Sequence, residues 1–198
     1  VAHCAVPAIK PVLHSNLLVH LHATPGVDAA TLQRETGDWV TAHAPIERTA
    51  PALPPRRRGT PLRVALVSGH LGGPIMSASL PDVLAAIDPS RLAITLVDTH
   101  VEATPPPSWC PPQLPVLRAP RGELPAIDSA NFELAVDLDG HAPRGVPRAF
   151  AHRLAPLQVS WLDWFNSTGL ANMDYWLGDA LSTPPGCEAR FSERVWRL

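Results

Sequence analysis

The sequence predicts an α/β protein: a Rossmann-like parallel sheet preceded by an α-helical hairpin. Three observations carry that expectation. The runs Leu62–Val67, Leu92–Val97 and Phe132–Leu138 are almost wholly apolar and lack the in–out alternation of a half-solvated sheet, so they suit strands buried on both faces. Short helical segments separate them, as parallel crossovers require. Ahead of the first run, residues 11–44 switch to a helical period.

In the hairpin, Leu13, Leu17 and Leu21 recur at four-residue intervals and predict the apolar face of one helix. Thr24-Pro25-Gly26-Val27 stops it, Asp28 is placed to cap the next helix, and Leu32, Thr36, Trp39, Val40 and His43 form that helix's inner face. Residues 46–61, rich in proline and carrying Arg56-Arg57-Arg58, read as a stiff solvated linker. It divides the chain into a helical segment, 1–45, and an α/β domain, 62–198. Within the domain, Leu62–Val67 is the first strand. A helix near 79–87 follows, with Ser79 as its cap and Pro81 in its first turn. The strand Leu92–Val97, a proline-rich detour over 105–120, and a short helix near 123–130 come next. They lead to the strand Phe132–Leu138, a helix near 146–153, the strand Leu157–Leu162, and short strands at Tyr175–Leu177 and Arg194–Leu198.

Composition narrows the function. The 198 residues include 24 prolines, more than double the usual share of about 5%, which gives a globular chain many stiff connections. Sixteen Lys+Arg against 18 Asp+Glu leave a net charge of −2, so no bulk field draws the chain to nucleic acid or an anionic membrane. Cys4, Cys110 and Cys187 form no C-x-x-C pair, which argues against a disulfide framework and a structural zinc site. The longest charge-free window, Val64–Pro81, is interrupted by Gly69, Gly72, Gly73 and Pro74, and no basic segment followed by an apolar run opens the chain. A cytoplasmic location is the expectation. The first residue is Val, and Arg194–Leu198 reads as a strand rather than a tail, which suggests a piece of a longer protein.

In a parallel open sheet, ligands sit beyond the carboxyl ends of the strands, so three loops attract attention. Ser68–Gly73 combines glycines with His70, which suits either a tight turn or close approach to phosphate; it matches neither the dinucleotide nor the Walker pattern. Asp137-Leu138-Asp139-Gly140-His141 sets two carboxylates at i and i+2 beside a histidine, either to bind hydroxyls or as a plain Asp-Gly turn. Asp163–Gly169 offers Asn166, Ser167 and Thr168 under Trp164 and Phe165, a composition that suits sugar recognition or simple cover for the sheet edge. His14, His43 and His152 read as ordinary helix-face residues, and His20 and His22 diverge too far to form a metal pair.

The segments Leu134–His141, Phe150–Leu162, Ser167-Thr168-Gly169, Met173-Asp174-Tyr175 and Asp179 together resemble the O-linked N-acetylglucosamine transferases, the protein glycosyltransferases that carry tetratricopeptide repeats, and their bacterial members above all. Leu62–Ser68 looks like that family's first catalytic strand, and the Leu13–Ala44 hairpin like the helices that join repeats to catalytic region. The resemblance implies the first half of a GT-B glycosyltransferase of inverting type, with the nucleotide-sugar gripped mainly by a second half. The donor would be UDP-N-acetylglucosamine, taken as substrate with no cofactor or metal, and the acceptor a protein Ser/Thr hydroxyl.

His141 and Ser167-Thr168-Gly169 match the family pattern, whereas Pro74 stands where the family carries a loop histidine, and Asp163-Trp164-Phe165-Asn166 replaces another family loop. His70 is the available polar substitute. The residues expected to serve the chemistry are therefore His70 and His141 as catalytic groups, with Asp139, Asn166, Ser167, Thr168 and Gly169 binding substrate. The rival reading is a transferase-like module that binds proteins without catalysis, which Pro74 favours. A dinucleotide-dependent oxidoreductase comes last, for want of its glycine fingerprint.

Overall fold

A computed structural model of the chain describes residues 9–44 and 59–198. Cys4, Arg56–Arg58 and all but the last three residues of the expected linker lie outside the described residues. Seven parallel strands form one sheet: β1 (Leu62–Ser68), β2 (Leu92–Asp98), β3 (Val116–Arg118), β4 (Leu134–Asp137), β5 (Leu157–Ser160), β6 (Tyr175–Gly178) and β7 (Arg194–Arg197). Their order is β3-β2-β1-β4-β5-β6-β7. The chain winds outward from β1 to β3, then returns to lay β4 on the other side of β1. The loops that leave the carboxyl ends of β1 and β4 meet at this switch point, the place where such sheets carry their ligand-binding loops.

Alternate residues of β1 serve two cores. Val64 and Leu66 join Met76 and Leu80 on one side of the sheet; Ala65 and Val67 join Leu18, Trp39 and Phe150 on the other. Both faces being covered, an uninterrupted apolar run is the sequence such a strand needs. The first cover is α3 (Pro74–Ala86), the second α4 (Leu124–Ser129), α5 (Pro147–Ala151) and the hairpin of α1 (Lys10–His22) and α2 (Ala29–His43).

Three expectations shift. The helix after β1 starts at Pro74, five residues before Ser79, with Gly73 as its extended cap and Pro81 in its interior. Proline at the first helical position has its φ preset and loses no intrahelical bond. The bond Pro81 cannot donate would go to the carbonyl of Ser77, which lies on the exposed side. The detour at 105–120 contains β3, three residues between Pro115 and Pro120. Finally, α1 buries His14, Ser15 and Leu18, while Leu13 and Leu17 are exposed, a rotation of about one residue from the leucine stripe. Tertiary docking decides here: α1 turns its polar side chains onto the sheet because the loops beneath are polar.

The second helix matches its expected face, with Thr36 and Trp39 buried, and Asp28 accepts the Thr31 N–H at 2.8 Å as its cap. Trp39 Nε1 donates to the Pro11 carbonyl at 3.1 Å and so staples the two helices. Among the described residues Cys110 and Cys187 are free thiols, no helix is long and apolar enough to cross a membrane, and no group of three or more His, Cys, Asp or Glu could hold a metal ion.

Candidate functional site at the carboxyl edge of the sheet

The loops at the switch point are organised by the two buried aspartates of β4 and its turn. Asp137 Oδ1 accepts the amides of Asp139 (3.2 Å) and Gly140 (3.0 Å), folding the chain back on itself. Asp139 instead reaches across to β1, where it accepts Ser68 Oγ at 2.8 Å and the Gly69 amide at 2.6 Å. The two carboxylates therefore diverge in role: one shapes its own turn, the other holds the loop that carries His70. Burial pushes Asp137 up to about 6, and burial together with the Asp137 charge pushes Asp139 up to about 7. The sequence assigns Asp139 to substrate hydroxyls, but both its oxygens are committed inside the protein.

His70 is half-buried in the turn before α3, its imidazole folded over Gly73 and its amide donating to Ser68 Oγ at 2.8 Å. The loop is thus a tight turn. Opposite it, burial raises Asp163, and the nearby His70 works against that shift.

His141 departs most from expectation. Rather than facing a cleft, it is wholly buried under the hairpin, edge-on to Trp39 and Trp164. Its Nε2 lies 2.9 Å from the Thr168 carbonyl and its Nδ1 lies 3.3 Å from Ser15 Oγ. A carbonyl only accepts, so Nε2 carries the proton and Nδ1 accepts from Ser15. Desolvation lowers its pKa to about 4, with the Thr168 contact acting in the opposite direction. The ring is neutral, with both nitrogens engaged.

The third loop is held from the far edge of the sheet. Buried Glu193, just before β7, accepts Ser167 Oγ and the Thr168 amide, each at 2.7 Å, and also the Thr168 hydroxyl. Asn166 bonds the Nε2 of His22 at 2.8 Å. The Nδ1 of His22 is tied to the Leu18 carbonyl at 2.7 Å, which leaves Nε2 as an acceptor for the Asn166 amide. Between this loop, α2 and residues 190–192 lies a groove of about 420 Å³. Asn166, Ser167 and Gly169 line it, Phe165 stands 60% exposed on its lip, and Gln33 donates to the Ala189 carbonyl at 3.0 Å.

The expected residues thus gather at one end of the sheet but in two layers. Asn166, Ser167 and Gly169 reach the groove, Asp139, His141 and Thr168 form the buried layer, and His70 sits at the mouth of the β1 turn. Sequence reasoning missed Ser15, His22 and Glu193. For the first two a signal existed: His14, Leu18 and His22 recur at four-residue spacing, with Ser15 beside them. Glu193 carries none, being a lone acid in a charged stretch.

No family model matches the chain. A probable UDP-N-acetylglucosamine–peptide N-acetylglucosaminyltransferase SPINDLY of Solanum lycopersicum is 36% identical over 72 residues, which is 36% of this chain and 8% of that protein. The protein of the same name from Arabidopsis thaliana is 36% identical over 67 residues, 34% of this chain and 7% of its own length. A mutant form of the Thermobaculum terrenum O-GlcNAc transferase superposes with a TM-score of 0.85 at 28% identity, over 96% of this chain and 38% of that one. In a segment of its sequence and in its fold the chain is similar to O-GlcNAc transferases. It spans under a tenth of the plant proteins' length in the matched segment and little more than a third of the bacterial chain. Its parallel sheet with flanking helices corresponds to one catalytic half of a GT-B O-GlcNAc transferase.

Proposed function

We propose that this chain is the acceptor-side half of a protein glycosyltransferase that moves a sugar, N-acetylglucosamine on the relatives' example, from its UDP derivative to a Ser or Thr hydroxyl. The observation that carries the reading is the bacterial O-GlcNAc transferase match, which extends over 96% of the chain with a TM-score of 0.85. In the proposed step the acceptor oxygen attacks the anomeric carbon, the bond to the diphosphate breaks, and UDP leaves with the bonding electrons. The acceptor proton must go to a base. His70 is the half-buried histidine of the turn after β1, close enough to Asp163 to oppose its shift, and it takes that role; Asn166, Ser167 and Gly169 hold the acceptor segment in the groove. His141 and Asp139, being buried, position the loops and do not touch substrate.

Incubating a longer protein that contains this chain with UDP-N-acetylglucosamine and a Ser/Thr peptide library, with intact-mass detection, tests the reading. Addition of one N-acetylhexosamine mass is the expected result. The isolated chain should show no micromolar heat of binding for UDP-sugars, because the donor is assigned to the remainder of the enzyme. A second reading, a non-catalytic binding module, is favoured by Pro74, which opens α3 where the resembled family has a histidine and whose side chain can transfer no proton. Peptide binding with no transfer to any acceptor in the library would select it.

A further inference from the structure

We infer that Glu193 is the positioning residue of this site: it fixes the Ser167–Thr168 backbone and, through the Thr168 carbonyl, the tautomer and plane of His141. The inference rests on the transferase reading for its purpose, and on hydrogen-bond geometry for its substance. Glu193 lies 25 residues from the loop it holds, at the entry to the edge strand β7, and is 4% exposed. Four donors converge on its carboxylate: Ser167 Oγ at 2.7 Å, the Thr168 amide at 2.7 Å, the Thr168 hydroxyl, and Ser192 Oγ at 3.1 Å.

The rest of the loop leaves no slack. Ser167 Oγ already accepts the Gly169 amide at 3.0 Å and the Ser192 amide at 3.2 Å, so its proton has to be given away, and Glu193 takes it. Thr168 Oγ1 accepts the Leu170 amide at 3.3 Å and is in the same position. With amide and hydroxyl of Thr168 both pinned by one carboxylate oxygen, its carbonyl is directed at His141 Nε2, 2.9 Å away. Only an acceptor-only group satisfies this arrangement. An amide at 193 would aim hydrogens either at Ser167 Oγ, which has no lone pair left, or at the Thr168 amide. Glu193 thus sets the shape of the loop that lines the groove and the state of the histidine beneath it, from a distance at which it can touch no substrate.

The test is ¹⁵N-histidine NMR on this chain, comparing wild type, Glu193→Gln and Ser15→Ala at pH 7. Wild-type His141 should show a single neutral Nε2–H form with a slowly exchanging proton. Glu193→Gln should give a mixture of tautomers and an exchange rate raised by about tenfold, the opening expected when one charge-assisted hydrogen bond is lost. Ser15→Ala, which touches only Nδ1, should keep the Nε2–H form. An unchanged His141 spectrum in Glu193→Gln overturns the assignment.

Should that variant not fold, Ser167→Ala removes one of the four donors and should move the same resonances in the same direction by less; no movement there is equally fatal. In the longer enzyme, Glu193→Gln should lower kcat while the KM for the donor holds. A wild-type enzyme with no transfer activity would remove the transferase reading and leave the imidazole result standing, so the two failures separate.

Discussion

Gly169 is where the hairpin rests on the site, and replacing it by alanine measures how tightly. Its φ is +74°, in the left-handed region, and a Cβ placed there would lie 2.6 Å from Thr36 Cγ2 and 3.1 Å from Val40 Cγ2, both on α2. Neither methyl moves aside easily. β-Branched side chains on a helix have one dominant rotamer, and Thr36 is further fixed by its hydroxyl bond to the Leu32 carbonyl at 2.8 Å. Left-handed backbone costs alanine about 1–2 kcal/mol, and overpacking a tight contact about 1–3 kcal/mol. Gly169→Ala should therefore cost about 2–5 kcal/mol, a urea midpoint lower by roughly 1 M or more.

Trp39 and Trp164, which sandwich His141, give the fluorescence signal for the titration. Gly37 supplies the opposite control, since it lies within α2 with nothing inside 4 Å of where an added methyl would sit, and it should gain about 0.5–1 kcal/mol as alanine. If Gly169→Ala leaves the midpoint unchanged, or if the two variants shift it in the same direction, the docking of α2 on this loop is wrong.

The paired aspartates make stability pH-dependent. Both carboxyls titrate higher in the fold than their ordinary value of 3.8, so these two groups bind more protons in the folded chain between about pH 4 and 7, while buried His141, lowered from 6.5 to about 4, works the other way. The stability of the wild type relative to Asp139→Asn should therefore fall as pH rises through that window, read as the difference between the two denaturation midpoints. Arg153 holds Asp174 through both guanidinium nitrogens with its side chain 11% exposed, so Arg153→Ala should cost roughly 3–5 kcal/mol in the same titration. In the transfer assay on the longer enzyme, His70→Ala should slow the reaction about 10²–10⁴-fold, the usual worth of a positioned base. His152→Ala, at the end of α5, should leave the rate unchanged.

The sheet was legible because strands buried on both faces need apolar runs, and β1, β2 and β4 have them. The hairpin's second helix was equally plain from Trp39 and the Asp28 cap. What escaped was set by contacts between distant segments. The apolar stripe of Leu13, Leu17 and Leu21 pointed the wrong way because α1 docks on polar loops, and no local pattern says so. The resemblance in Phe150–Leu162 rested on residues that turn out to brace the scaffold. Gln158 accepts the Leu154 amide at 2.8 Å and donates to the carbonyls of Phe150 (2.9 Å) and Asn172 (2.7 Å), while Arg153 and Asp174 form an ion pair. Those residues identify the fold through its supports. The loop residues that face the groove are separate from them, and Glu193 entered the site only through its bond across 25 residues.

The hairpin and the sheet share one hydrophobic core: Leu18 and Trp39 pack in the same cluster as Val67, Phe150 and Trp164. A recombination joint placed between residues 45 and 61 would look clean in the sequence, yet it would graft foreign helices onto Trp164 and onto an imidazole that needs Ser15. Helices and sheet are thus inherited as a pair, and substitutions at Ser15, Leu18 and His22 must be accommodated by the β4 and β5 loops and the core beneath them. For anyone building chimeras of this chain, Lys10–His43 has to travel with the sheet, so that the buried histidine keeps its own roof.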